Sequence, residues 1–224
     1  MDVNYTLQYA DGTGSGTNSQ QALISAGQPN LRNLFPLNID IRHNIKLNLF
    51  FDYRGGKEYN GPVVNGKQIF SNAGVGMLLN AFSGIPYTAN QIPTPNVQSG
   101  IVVRSPIKGT PFGSRLPWQM QNDIQVYKGF NVKLGKNKDG VVKYGQLKFT
   151  LWVQNFLNLQ NIRSVHPYTG SPDTDGYLNS ANGQQAIQQA VSQQAFIDLY
   201  NTALANPGYY GLPRRIRLNI KLDF

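Results

Sequence analysis

The chain has no cysteine, which removes disulfides and thiolate metal sites from consideration. Histidine is nearly as scarce: His43 and His166 are the only two, far apart in sequence. A zinc centre takes about three or four ligands, so no metal site is expected. Long apolar runs are missing as well. Nothing approaches the ~18–20 apolar residues of a transmembrane helix, and the mean hydropathy is −0.35. A helical membrane protein is therefore excluded, whereas a barrel, with strands only half apolar, is not. Charge is sparse at 14% of residues, and the net +9 arises from Lys and Arg that are scattered rather than clustered. Nucleic-acid recognition needs a basic patch, so no nucleic-acid partner is expected. Met1-Asp2-Val3-Asn4-Tyr5 has no basic, apolar or cleavage region of a secretory leader, so an export signal is expected elsewhere.

Reactive chemistry is equally thin. No Ser-His-Asp arrangement can be argued and nothing resembles a nucleophile elbow, so neither enzyme activity nor a catalytic residue is expected. Gly12-Thr13-Gly14-Ser15-Gly16 has the wrong spacing for a nucleotide loop and no helix directly after it, and reads as a flexible loop without a cofactor. Asp173-Thr174-Asp175-Gly176 opens like a calcium loop but lacks the later acidic ligand, and reads as an Asp/Gly turn.

What the sequence does have is alternation. From Arg214 to Phe224, Ile216, Leu218, Ile220, Leu222 and Phe224 fall on one face, and Arg215, Arg217, Asn219, Lys221 and Asp223 on the other. A period of two marks a strand between two different environments. Five earlier segments read alike: Val3–Tyr9, Asn38–Arg54, about Gln68–Phe82, Trp118–Leu134 and Tyr144 to about Phe156. In the second, Ile39, Ile41, Ile45, Leu47, Leu49, Phe51 and Tyr53 oppose Asp40, Arg42, Asn44, Lys46, Asn48 and Asp52. In the fourth, Asn122 and Lys128 share the apolar face, opposite Gln119, Gln121, Asp123 and Gln125. The second and fourth exceed the ~5–6 residues of an ordinary soluble strand and suit the ~9–11 of a tilted membrane strand.

Turns after the second and fourth segments are short (roughly 55–67 and 135–143), with Gly135–Gly140 a hairpin turn; the other connections are long. Outer-membrane barrels show this asymmetry, with short periplasmic turns and long external loops. If Phe224 ends at the periplasm, every long connection falls outside. Tyr53, Trp118, Phe130, Phe156 and Phe224 lie near strand ends, where an aromatic girdle sits. The longest loop holds one predicted helix, about Gln184–Leu204, with Ile187, Val191, Ala195, Leu199 and Ala203 recurring every four residues. It reads as a surface helix packed on its own loop.

Asn155-Phe156-Leu157-Asn158 resembles the N-[LF]-[FL]-N element of TonB-dependent receptor barrels. Other stretches resemble the Bacteroidota branch with a carboxypeptidase-regulatory-like domain: Tyr5–Thr13, Asp40-Ile41-Arg42-His43, Ser83–Thr88, Val165–Pro172 and Asn206–Leu218. Taken in order these cover nearly the whole chain. One departure is Asn219, where such C-termini often carry Gly.

The resemblance implies the last part of a plugged barrel of about 22 strands that imports a scarce ligand. The expected fold class is all-β: an antiparallel transmembrane β-barrel segment of about six long strands, residues 1–224, with one helix in an external loop. It places the chain in the outer membrane of a Gram-negative cell, in contact with outer-membrane lipid. The plug and remaining strands would come from the same or another chain, and TonB would act only through an N-terminal part not in this sequence. It implies an assembly signal on Leu218, Ile220, Leu222 and Phe224, read by the barrel-assembly machinery. Arg42, Lys46, Asn48, Gln119, Gln121 and Asp123 are expected to face the lumen, and Pro167, Thr169, Gly170 and Pro172 to form an external-loop motif. Six strands cannot close such a barrel, and open edges are not tolerated in lipid. Two alternatives stand beside this reading: a soluble secreted β-sandwich binding carbohydrate or protein through its loops, and a subunit that completes a split barrel.

Overall fold

The computed structural model describes residues 1–14, 33–95, 105–136 and 140–224, together with positions 21, 25 and 27. Ser15 and Gly16 of the glycine-rich stretch, much of the first long connection and the centre of the 135–143 turn lie outside the described residues.

Six long strands follow one another: β1 (Asp2–Leu7), β2 (His43–Tyr53), β3 (Ala73–Phe82), β4 (Gln119–Lys136), β5 (Val142–Gln154) and β6 (Arg215–Asp223). They form one antiparallel sheet in sequence order, each pairing with its predecessor. Among the described residues the sheet is open, and β1 and β6 have a neighbour on one side only. Mostly β structure with long antiparallel strands agrees with the expected class.

Several strand ends are corrected, most of them by a turn that alternation cannot reveal. β2 starts at His43 instead of Asn38, because Asn38 and Ile39 form a turn in which the Asp40 N–H bonds to the Leu37 carbonyl at 3.0 Å. β3 starts at Ala73 instead of Gln68. Before it lies a small ribbon, Val63–Val64 against Lys67–Gln68, that reverses through Asn65 and Gly66 at positive φ (48° and 73°). β5 ends at Gln154 because Asn155 takes φ 50°. β1 ends at Leu7, two residues before the expected Tyr9.

Connections 8–42, 83–118 and 155–214 all leave from one end of the sheet; 54–72 and the 137–141 turn leave from the other. The expected asymmetry of long and short connections is therefore present in space.

The longest connection carries two helices where one was expected: α1 (Ala181–Gln189) and α2 (Gln193–Leu204). Ser180 caps α1 by accepting from Gly183 N, and Ser192 caps α2 by accepting from Ala195 N. The break resets the buried face. Phe196, Tyr200 and Leu204 of α2 pack with Tyr177 and Leu178, while Val191 and Leu199 of the four-residue pattern are exposed. The helices pack on each other rather than on the sheet. The remaining described sheets are ribbons with two residues per strand, so no second sheet lies over the first.

Candidate functional site

Pairing fixes which side chains share a face, since directly opposed residues in an antiparallel sheet point the same way. One row reads Leu49, Met77, Ile124, Val153, Ile216; the next reads Phe51, Val75, Val126, Leu151, Leu218. Val3 and Tyr5 join this face opposite Leu47 and Ile45. The face is apolar across all six strands and uncovered: Phe51 is 56% exposed, Val126 45% and Leu218 63%. A continuous patch of this extent marks contact with lipid or another protein.

Two polar residues interrupt the face, and each is neutralised within the chain. The Lys128 ammonium donates to the Ile69 and Ser71 carbonyls at 2.7 and 2.5 Å, at the end with the short connections. Asn122 is fully buried; its Oδ1 accepts from Leu157 N at 2.8 Å and its carbonyl from Phe156 N at 3.0 Å.

Aromatics gather at both ends of the apolar face. Tyr5, His43 and Trp118 stack at the long-connection end, with ring centroids 6.1 and 5.8 Å apart, and the Tyr5 hydroxyl meets His43 Nδ1 at 2.9 Å. Tyr53 packs against Phe51, Tyr59 and Phe70 at the other end. From His43 to Tyr53 a strand advances ~33 Å at ~3.3 Å per residue; a ~45° tilt makes this ~23 Å of height, against ~25 Å for the apolar band of a barrel.

The opposite face is polar and collects five of the six residues expected to face a lumen. Lys46 lines up with Asn80 and Gln121, Asn48 with Leu78 and Asp123, and Gln119 with Phe82 and Asn44. Arg42 lies outside the strands; its Nε is 3.5 Å from Asp40 and its guanidinium covers the Tyr9 ring. Aromatic rings also stand on this face. Phe50 stacks on Tyr127 at 6.4 Å, Lys148 sits 4.0 Å from the Tyr127 centroid, and Arg217 sits over Trp152. β3 makes room with Gly74, where a Cβ would come within 2.7 Å of the Tyr127 ring.

Three clusters order the long connections, and the first and third join one connection to another. In the first, Asp40 has no exposed surface; Arg115 forms an ion pair with its carboxylate, and Ala10 N donates to Oδ1 at 3.1 Å. Burial alone would raise this carboxyl, but the bonds from Arg115 and Ala10 and the charges of Arg115 and Arg42 hold it below its ordinary value. The second is the Asn155–Asn158 turn, with both asparagines at positive φ. Asn155 accepts from Leu159 N at 2.9 Å and donates to the carbonyls of Leu159 (2.9 Å) and Leu212 (3.1 Å). Asn158 accepts from Arg214 N at 3.0 Å, so the turn holds the segment that leads into β6.

The third cluster is the expected loop motif. The Pro167 carbonyl accepts from Asn90 N at 3.0 Å and so joins two connections. Thr169 donates to the Thr174 carbonyl and accepts from Ser171 N, and Gly170 turns at φ 68° beside the Tyr87 hydroxyl. Pro172 leads into the acidic turn, whose Asp173 N donates to Ser171 Oγ at 3.2 Å. The Asp173 and Asp175 carboxylates accept from the Tyr210 and Tyr200 hydroxyls, the latter at 2.5 Å. The bond to Asp173 raises the Tyr210 hydroxyl above its ordinary pKa. His166 is 2% exposed, its ring lies 5.0 Å from Tyr209, and its Nε2 has no partner among the described residues. Burial lowers its pKa, opposed by the charges of Asp175 and Asp173.

Leu218, Ile220 and Leu222 lie on the apolar face of an edge strand, and Phe224 extends beyond it, 98% exposed. Sequence reasoning missed Asp40 with Arg115, partners 75 positions apart that no periodicity links. It also missed the burial of His166. Its neighbours Pro167 and Gly170 signal a turn there, but nothing in the sequence signals the tyrosine that covers the ring. No family model matches the chain, and neither a curated protein nor a solved structure shows detectable similarity to it.

Proposed function

We propose that the chain is the C-terminal barrel segment of a TonB-dependent outer-membrane receptor that imports a scarce ligand. The observation carrying this reading is the uncovered apolar face, bounded at both ends by aromatics and backed by a polar face on the same strands. A soluble sandwich would bury that face beneath a second sheet, and the described residues provide none. In this reading the apolar side contacts lipid, the polar side faces plug or solute, and the three long connections project outward to meet ligand. The mechanism is one of binding and passage, without bond chemistry. The open edges at β1 and β6 require further strands, from the same polypeptide or from a partner chain.

The sequence contains no native thiol, so a single introduced cysteine reports its own surroundings. Val126→Cys and Leu218→Cys should resist a membrane-impermeant maleimide in intact outer membranes, whereas Gln125→Cys and Asn219→Cys should react. Equal labelling of both pairs, or recovery of the protein in the soluble fraction, would overturn the reading. A denaturing gel of the same membranes separates the two sources of the missing strands. A band several times 24.8 kDa indicates one long receptor chain, and a band near 24.8 kDa indicates a partner.

A further inference from the structure

The polar face ends, toward the long connections, in a concave pocket between β4, β5 and the segment leading into β6. Gln119, Gln121, Asp123, Gln154, Arg163 and Arg215 line it. Its charges are unbalanced. Asp123 is the one acid in the lining, and both of its oxygens are engaged: Oδ1 accepts from Asn155 N at 3.0 Å and Oδ2 from Gln121 Nε2 at 3.1 Å. Neither Arg163 nor Arg215 has a carboxylate within ion-pair distance among the described residues. Gln154 contributes a buried Oε1 that no donor meets among the described residues, and Gln119 is tied to the Ile162 carbonyl at 3.1 Å. Two arginines and an amide oxygen without a donor among the described residues therefore line one concavity.

We infer that this pocket binds the oxyanion group of a solute, carboxylate or phosphate, on Arg163 and Arg215, with Gln154 receiving a donor from the same solute. A guanidinium presents paired N–H donors matched to a planar or tetrahedral oxyanion, which an ammonium does not. Elsewhere on this face Lys148 and Arg217 cover aromatic rings and Lys221 pairs with Asp223 at 2.7 Å, while Lys46 and Lys133 stand singly along the strands. The pocket is where two guanidinium groups without a carboxylate partner among the described residues come together. The inference rests on the proposed reading of this face as a barrel interior and adds to it the class of solute admitted.

The test uses the full protein purified from outer membranes in detergent, titrated calorimetrically with a neutral-capped dipeptide bearing a free carboxylate, with its C-terminal amide, and with glycerol phosphate. Saturable binding of either anion, absent for the amide, is expected. Arg163→Ala/Arg215→Ala should weaken it at least tenfold, and Arg163→Lys/Arg215→Lys should retain part of it. The preferred anion tells carboxylate from phosphate. No saturable binding of either anion, or equal binding by the alanine double variant, overturns the site. Labelling of Gln125→Cys against Val126→Cys on the same preparations reports separately whether the polar face is wet and the apolar face covered as proposed and whether the variants are folded, so a protein that keeps this contrast without binding anion refutes the pocket alone.

Discussion

Replacing Asn155 tests how the turn after β5 controls the approach to β6. Its side chain makes three hydrogen bonds shorter than 3.2 Å, two with Leu159 and one to the Leu212 carbonyl, while its backbone sits at φ 50°. The site is partly solvated, so water replaces some of what is lost and each bond contributes near the low end of its usual range, about 0.5 kcal/mol. An alanine at this φ adds about 1 kcal/mol of backbone strain that glycine avoids. Asn155→Ala should therefore cost about 2.5 kcal/mol and Asn155→Gly about 1.5 kcal/mol. Asn155→Asp keeps the acceptor for Leu159 N but loses both donors, for a cost of about 1 kcal/mol. The assay is urea unfolding of the detergent-folded protein, read by the midpoint at constant slope. The order Ala, Gly, Asp is the signature. Variants within about 0.5 kcal/mol of the parent, or glycine as costly as alanine, would refute the reasoning.

Three further outcomes are expected. Phe224→Asp, at an exposed position beyond the last strand, should cost at most about 1 kcal/mol of folded stability yet, on the proposed reading, sharply lower the outer-membrane level; immunoblots showing normal levels would count against a signal role for the C-terminus. His166 is held neutral by burial, so its folded pKa lies below the ordinary ~6.5. Its contribution is complete above that ordinary value and is lost as pH falls through the lowered one. Amide protection factors across 155–214, taken relative to the intrinsic exchange rate at each pH, should fall below about pH 6.5, and His166→Gln should flatten the dependence. Gly84→Ala places a Cβ 1.6 Å from the Leu116 carbonyl oxygen, so the backbone must move. Tryptic cleavage within 83–118 should rise, with a loss of at least about 1–3 kcal/mol.

What could be read in the sequence follows a simple division. Alternation is a local property, so the six strands, their faces and the shared side of Lys46, Asn48, Gln119, Gln121 and Asp123 were legible. Turn residues act on one or two dihedrals and leave no periodic trace, which is why Asn38, Asn65 with Gly66, and Asn155 cut strands shorter than the hydrophobic pattern implies. The helix pattern misled for a related reason: a strict repeat of four through Val191 ignored Ser192, whose side chain fits a cap better than a helix interior. Arg42 lies one residue before β2, where its guanidinium meets Asp40 and Tyr9, and strand parity alone does not carry beyond the strand's end. Asp40 with Arg115 and the oxyanion pocket depend on loops folding against each other, and no local rule anticipates such meetings.

The sequential order of the sheet carries an arithmetic consequence. β1 runs toward the end that bears the long connections, and β6 runs away from it. Any ring built on this sheet must therefore insert an even number of strands between the two open edges, or one seam would set parallel neighbours side by side. A complementary piece contributing an odd number of strands, whether from this polypeptide or another, would close the circle only through one parallel seam.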